Sequence, residues 1–252
     1  MLRPWSQIIE ELLKMDHQRH TMSRSPAMDM SLDQGLRTFM LGIYNHMMVA
    51  MLITGAIAYF SSQSAPLMQL IFTTPLRWVV MFAPLGFVFF LAARVFKMSP
   101  GAARMWFYAF AGVMGLSLSW IFLAYTGMAI AKIFFMTSAM FGALSLYGYT
   151  TKKDISGWGG FLIMGVIGII IASVVNLFLG SSAIQFAVSV LGLLIFAGLT
   201  AYDTQRLKHS YYSLGGDATM AARVSIMGAL SLYINFLNMF MFLLSLFGGS
   251  RN

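Results

Sequence analysis

The chain has 252 residues, of which 59% are hydrophobic and only 10% are charged, and it contains no cysteine. A soluble domain carries roughly 25% charged residues, so this composition excludes a soluble globular fold and indicates that much of the surface faces lipid. The absence of cysteine excludes disulfides, thiolate metal sites and cysteine nucleophiles. The formal net charge is +8 at pH 7, but the basic residues form no stripe with interleaved aromatics, which argues against a nucleic-acid partner.

The first 34 residues are predicted to form a cytoplasmic arm ahead of a membrane domain that occupies residues 35–252. The arm lacks the apolar core and the small-residue cleavage site of a signal peptide. Its apolar residues recur at helical spacing beside charged ones, which is typical of a short interfacial helix and equally of a partner-binding arm. Those residues are Trp5, Ile8, Ile9, Leu12 and Leu13. The segment Ser23–Asp33 that follows is predicted to be a flexible linker.

Seven stretches beyond the arm are long and apolar enough to cross a bilayer, since a spanning helix needs about 20 mostly apolar residues. They are Phe39–Phe60, Trp78–Arg94, Met105–Tyr125, Ala129–Tyr149, Trp158–Leu179, Ala183–Tyr202 and Val224–Phe247. The gaps between them hold prolines, glycines or charged residues. The sequence therefore predicts an all-α integral membrane protein with seven transmembrane helices and short connections.

The basic residues predict how these spans are oriented. Thirteen Lys and Arg residues fall on the side of the N-terminus, and only Arg77, Lys132 and Arg251 fall on the other side. Cytoplasmic loops carry an excess of Lys and Arg. We therefore expect the N-terminus in the cytoplasm and the C-terminus outside.

Small residues recur four apart in four of the predicted spans. They are Ala111–Gly115–Ser119, Ser138–Gly142, Gly168–Ala172 and Ala197–Ala201. Small residues let helix backbones approach closely in a membrane, although apolar helices rich in Gly and Ala also produce such pairs by chance. The pattern gives weak support for a compact helix bundle.

Few ionisable side chains lie in or beside the spans, and each needs a partner or a purpose there. Asp203, at the end of the sixth span, is the only acidic residue among them, and Arg206 follows one turn later as a partner for an ion pair. Asn235 and Asn238 lie on one face of the seventh span, where amides usually form hydrogen bonds between helices. Arg94, at the inner end of the second span, is most simply a positive anchor at the membrane surface.

No motif for enzyme chemistry is present. The sequence lacks a His-Glu zincin motif, a Gly-x-Ser-x-Gly elbow and a phosphate-binding glycine-rich loop. An aspartyl intramembrane protease needs two intramembrane acids, and only Asp203 is available. We therefore predict that the protein is not an enzyme and carries no cofactor.

Three motifs make the sixth span and its neighbours recognisable. They are Phe196-Ala-Gly-Leu-Thr-Ala-Tyr-Asp-Thr-Gln-Arg206, Met140-Phe-Gly-Ala-Leu-Ser-Leu-Tyr-Gly-Tyr-Thr-Thr-Lys-Lys-Asp154 and Leu230-Ser-Leu-Tyr-Ile-Asn-Phe-Leu-Asn-Met-Phe240. In this order they resemble the Bax inhibitor family, the transmembrane Bax inhibitor motif proteins. The resemblance covers about Met40 to Gly248, and the amino-acid sequence of the first motif resembles that of bacterial members. It therefore implies a bacterial inner-membrane protein.

The resemblance implies a fold in which the last helix is wrapped by the other six, and a slow, pH-sensitive calcium leak across the membrane. The family senses pH with two aspartates, of which Asp203 matches the first, whereas Asn235 stands in place of the second. An amide can donate to Asp203 but cannot titrate. We therefore expect a pH response that is flattened near neutrality.

The resemblance leaves two functions open. In the first, the protein conducts cations, calcium is the transported ion, and Asp203 is both the gate and the carboxylate that meets the metal, since carboxylate oxygens suit a hard cation. The family also couples its acids to an arginine of the second span, for which Arg94 is the candidate. In the second, the protein is a non-conducting membrane partner that modulates a membrane-bound AAA protease or a stress response.

Overall fold

The computed structural model describes residues 26–249, and within that range every regular element is helical. The predicted interfacial helix around Trp5–Leu13 lies outside the described residues. The structure divides into two units after Thr38, and the described part of the first unit, from Pro26 on, is helical. Within the described residues, the segment predicted as a flexible linker is helical from Pro26 on, so the prediction of a linker is wrong there. The arm boundary at residue 34 stays a prediction.

The described chain forms nine α-helices and one short 3₁₀ turn. In chain order they are α1 Pro26–Ser62, α2 Ala65–Thr73, α3 Leu76–Arg94, the 3₁₀ turn Val95–Lys97, α4 Pro100–Leu118, α5 Ile121–Ala124, α6 Gly127–Thr150, α7 Trp158–Leu179, α8 Ser182–Ser213 and α9 Ala218–Phe247. Seven helical segments of the described chain are long and apolar enough to cross a membrane, with α4 and α5 together forming the third of them. The prediction of seven transmembrane helices is confirmed.

Two elements differ from the predicted ones. The nine-residue helix α2 was not predicted, because the sequence Ser64–Pro66 resembles a loop. In the structure Ser64 is the N-cap of α2 and the proline lies in its first turn, where a proline is tolerated. Helix α8 continues to Ser213, well beyond the predicted end at Tyr202. Its last turns are polar, so hydropathy marks where the helix leaves the membrane and not where the helix ends.

Helix α9 lies at the centre of the second unit. In the most apolar 18-residue stretch of α9, 56% of the residues are buried, against 11–33% in the corresponding stretches of the other six spans. The outer helices instead expose large apolar side chains, such as Phe161 on α7, which are suited to contact lipid. The expectation of a last helix wrapped by the other six is confirmed.

Two glycines mark where helix backbones approach most closely. A Cβ on Gly115 of α4 would lie 2.7 Å from the carbonyl oxygen of Thr54 on α1, and a Cβ on Gly148 of α6 would collide with the carbonyl of Ala201 on α8. By contrast, a Cβ on Gly142 or Gly168 would meet no atom within 4 Å. The predicted small-residue contact is thus present at Gly115 and absent at those two positions.

Candidate functional site

Asp203 on α8 is buried, with 4% of its surface exposed, and both of its carboxylate oxygens are bound. Oδ2 accepts hydrogen bonds from Oγ of Ser231 at 2.6 Å and from Nδ2 of Asn235 at 2.8 Å. Oδ1 forms an ion pair with Nη2 of Arg206 at 2.9 Å. We call these four residues the Asp203 cluster. It joins α8 to the central helix α9.

The sequence spacing explains how the cluster assembles. Ser231 and Asn235 are four apart on α9, so they lie on one face, one turn from each other, and both reach the same carboxylate. Arg206 follows Asp203 by three residues on α8, which places its guanidinium beside the carboxylate. Consecutive helices α8 and α9, joined by a short turn at Gly215–Gly216, bring the two faces together.

The cluster is electrostatically balanced within the protein. A buried carboxylate is costly unless it is paired and hydrogen-bonded, and Asp203 has one cationic and two neutral donors. The Arg206 side chain is 51% exposed, and its guanidinium carbon lies 5.6 Å from the centre of the Tyr202 ring. One end of this ion pair is therefore accessible to solvent or headgroups while the other is buried.

The structure does not bring the other predicted site residues to Asp203. Arg94 ends α3 with an exposed side chain, and in the described part of the chain the cation that pairs with Asp203 is Arg206. Asn238 donates from Nδ2 to the carbonyl oxygen of Ile234 at 2.9 Å, within its own helix. A short amide readily reaches the carbonyl one turn back, and the interhelical role of Asn238 stays a prediction.

Gln205, two residues after Asp203, was not predicted and fixes the loop between α6 and α7. Its Nε2 donates to the carbonyl oxygen of Lys153 at 2.8 Å, and its Oε1 accepts from the backbone N–H of Ile155 at 2.9 Å. In the same loop, the N–H of Ser156 donates to the Asp154 carboxylate at 2.9 Å, which holds the pKa of that exposed carboxyl below its usual range. Helix α8 is thus held to α9 on one side and to this loop on the other.

Ser231 was also missed, although its spacing from Asn235 is a signal that could have found it. Serine is common in membrane helices, and its hydroxyl often bonds its own backbone, so the residue type alone points to no partner. The described residues contain no group of three or more His, Cys, Asp or Glu side chains placed to hold a metal ion. The role of Asp203 toward a transported cation stays a prediction.

Comparison of the sequence with known proteins identifies the family of this chain. The family model described as inhibitor of apoptosis-promoting Bax1 matches residues 36–252. A protein of Caulobacter vibrioides is 49% identical over 232 residues, which cover 88% of this chain and 93% of that protein. The inner membrane protein YbhL of Escherichia coli is 43% identical over 234 residues, which cover 91% of this chain and 100% of YbhL. A protein of Rickettsia prowazekii is 44% identical over 222 residues, which cover 88% of this chain and 94% of its own. With seven apolar helices, three such relatives and a match along nearly its whole length, this chain belongs to the Bax inhibitor family and is a multi-pass protein of the bacterial inner membrane.

Proposed function

We propose that this protein is a slow, calcium-permeable cation leak channel whose closed state is held by the Asp203 cluster. The proposal rests on the family and on one observation, the buried carboxylate of Asp203 that joins α8 to the central helix α9. An ionisable group inside a membrane protein is a candidate for function by default. In this chain it lies at the contact of the two helices whose separation would open the bundle.

The cluster can act as a gate because it controls the position of α9. While Ser231 and Asn235 donate to Asp203, α9 is held against α8. When the carboxylate leaves these donors, α9 can shift, and the released oxygens become hard ligands for a passing cation. A single carboxylate gives a weak field, so we expect slow flux with low selectivity.

The response to pH in this proposal depends on Asp203 alone. The ionised carboxylate makes all three contacts, and protonation removes the attraction to Arg206 and converts an acceptor into a donor. The closed state therefore weakens as pH falls, and the leak increases in acid. Asn235 cannot titrate, so the response near neutrality is flatter than that of a pair of carboxylates.

Calcium entry into liposomes loaded with a calcium dye tests the proposal. We expect the wild type to leak above empty liposomes, and Asp203→Asn to leak severalfold faster at neutral pH because it keeps the side-chain shape but loses the ion pair. Asp154→Asn, which changes an exposed loop acid, is the matched control and should leave the rate unchanged. Calcium entry no faster than in empty liposomes, for the wild type and both variants, would refute the channel.

The second candidate function is a non-conducting partner that modulates a membrane-bound AAA protease. It is favoured by the complete pairing of Asp203. Both carboxylate oxygens already have donors, so neither is left to bind a cation. Removal of residues 1–34 separates the two functions. A leak should survive the deletion, whereas crosslinking of the protein to a protease through the arm should not.

A further inference from the structure

A second feature lies on a different face of α9 from the Asp203 cluster. An apolar cavity of about 100 Å³ lies between α1, α4, α5, α6 and α9. Its lining includes Thr54, Gly55, Phe122, Phe134, Phe236 and Phe240. Because α4 ends and α6 begins beside it, the cavity lies in the half of the bundle that is predicted to face the outside.

A hydrogen bond between α1 and α9 lies at the edge of this cavity, which Thr54 lines. The hydroxyl oxygens of Tyr233 and Thr54 are 2.6 Å apart, and Oγ1 of Thr54 donates to the carbonyl oxygen of Ala111 at 2.9 Å. Since threonine has one hydroxyl hydrogen, Tyr233 is the donor in its bond to Thr54. The Tyr233 side chain is fully buried, and its ring packs edge-on against Phe107 and Phe110, with centroids 5.9 and 5.5 Å away. These side chains pack α9 tightly against α1 and α4 beside the cavity.

The Tyr233–Thr54 contact and the Asp203 cluster occupy different faces of one helix. Residues in an α-helix are about 100° apart around the axis, so Tyr233 points about 200° away from both Ser231 and Asn235. A rotation of α9 about its own axis that carries Asn235 away from Asp203 therefore also carries Tyr233 away from Thr54. One rigid helix can thus couple the two sites with no further connecting residues.

We propose that the apolar cavity is the outer section of the cation path and that the Tyr233–Thr54 contact is its closed constriction. The inference rests on the proposed channel function and adds the path that the cations take through the outer half of the bundle. An apolar cavity of this size stays dry, and a dry apolar section blocks ions without a physical plug. Rotation of α9 breaks the hydrogen bond, widens the constriction and admits water to the cavity.

Tyr233→Phe and Thr54→Val test the constriction, because each removes the interhelical hydrogen bond while keeping the side-chain shape. Losing one such bond in a membrane is expected to raise the calcium leak in liposomes about three- to tenfold. Tyr147→Phe, at an exposed tyrosine of α6, is the matched control and should not change the rate. If Tyr233→Phe and Thr54→Val both leak at the wild-type rate, the Tyr233–Thr54 contact is not the closed constriction.

Cysteine labelling tests the cavity without relying on calcium flux, because the chain contains no cysteine of its own. Gly55→Cys lines the cavity and Gly142→Cys lies on α6 outside its lining. Both glycines are exposed, and at both a Cβ meets no atom within 4 Å. In full-length protein in liposomes, a charged methanethiosulfonate reagent should modify Gly55→Cys about three- to tenfold faster when Tyr233→Phe is also present. The modification rate of Gly142→Cys should stay the same.

The two experiments separate failure of the route from failure of the channel. If Gly55→Cys reacts only with a membrane-soluble maleimide in both backgrounds, the cavity is a lipid crevice and the proposed route is wrong. If the wild type leaks but Tyr233→Phe does not accelerate charged labelling of Gly55→Cys, the path runs elsewhere and the channel still stands. Absence of a wild-type leak refutes the channel itself, whatever the labelling shows.

Discussion

Asp203 is stabilised as an anion by fixed donors, and this distinguishes it from one of two carboxylates that share a proton. Two neighbouring carboxylates repel each other when both are ionised, so loss of the shared proton drives them apart. An asparagine at position 235 removes that repulsion, since its amide donates to Asp203 at 2.8 Å whether or not other groups titrate. In this chain, ionisation strengthens the contact between α8 and α9, where in a carboxylate pair it would weaken that contact.

The substitution Asn235→Asp should therefore give the protein a steeper response to pH. At neutral pH two ionised carboxylates would lie within hydrogen-bond distance, α9 would be pushed from α8, and the leak should rise. In acid the pair can hold one proton between its two carboxylates and close again. The sign of the pH dependence would thus be opposite to that of the wild type, in which acid weakens the ion pair of Asp203 with Arg206.

Calcium entry into dye-loaded liposomes, recorded between about pH 5.5 and pH 8, measures this difference, because a coupled pair of carboxylates loses its protons in two separate steps. Asn238→Asp is a suitable control, because the Asn238 amide donates within its own helix, to the carbonyl oxygen of Ile234. Identical pH–flux curves for the wild type and Asn235→Asp would show that the two side chains do not gate the protein.

The members of the Asp203 cluster differ in how visible they are in the sequence. Asp203 is the one acid in a long apolar region, and Arg206 follows it at helical spacing, so both could be predicted. The pairing of Thr54 with Tyr233 could not, because 179 residues separate them and nothing local shows which helices face each other. Arg94 was selected by the order of the spans and not by a motif, and the structure places a different arginine on Asp203.

At the scale of helices, the close approach of α6 and α8 controls how well the bundle packs. Gly148 leaves no room for a side chain, because a Cβ there would collide with backbone atoms of Ala201. Backbone cannot move aside as easily as the end of a side chain. This contact therefore fixes the distance between α6 and the helix that carries Asp203.

We expect Gly148→Ala to destabilise the protein by about 1–3 kcal/mol, the usual cost of forcing an extra carbon into a packed interior. In an open helical position the same substitution is favourable by about 1 kcal/mol, since alanine is the better helix former. Gly142→Ala on the same helix meets no atom within 4 Å and is the matched control. Thermal unfolding of the two variants in detergent should shift in different directions, and equal midpoints would contradict a close α6–α8 contact.

Composition predicts which segments of this chain are helices, but it does not predict which faces of those helices pack together. The span Trp158–Leu179 was predicted to the residue, because an apolar run there ends at charged or glycine residues on both sides. The spacing of Ser138 and Gly142 resembles a helix contact, yet Gly142 faces open space. Spacing shows which residues share a face, but which face meets another helix is decided by the whole bundle.

At the scale of the whole molecule, the function depends on which side of the membrane holds the Asp203 cluster. Lys and Arg lie mostly on the side of the N-terminus, in the N-terminal arm, around the ends of α3 and α6 and in the last turns of α8. In that orientation Asp203 and Arg206 lie toward the cytoplasm, and the apolar cavity lies toward the outside. Cytoplasmic acidification would then act directly on the gate, while external pH would act on it only after ions cross the constriction.

Single cysteines introduced into this cysteine-free chain should show the orientation directly. Lys152→Cys lies in the loop between α6 and α7, and Lys132→Cys lies near the start of α6, and both native side chains are exposed. In intact spheroplasts, a membrane-impermeant maleimide should label Lys132→Cys and not Lys152→Cys, whereas inside-out vesicles should give the opposite result. The reverse pattern would place the Asp203 cluster on the outer surface, and the gate would then respond to external pH, with the apolar cavity as its cytoplasmic section.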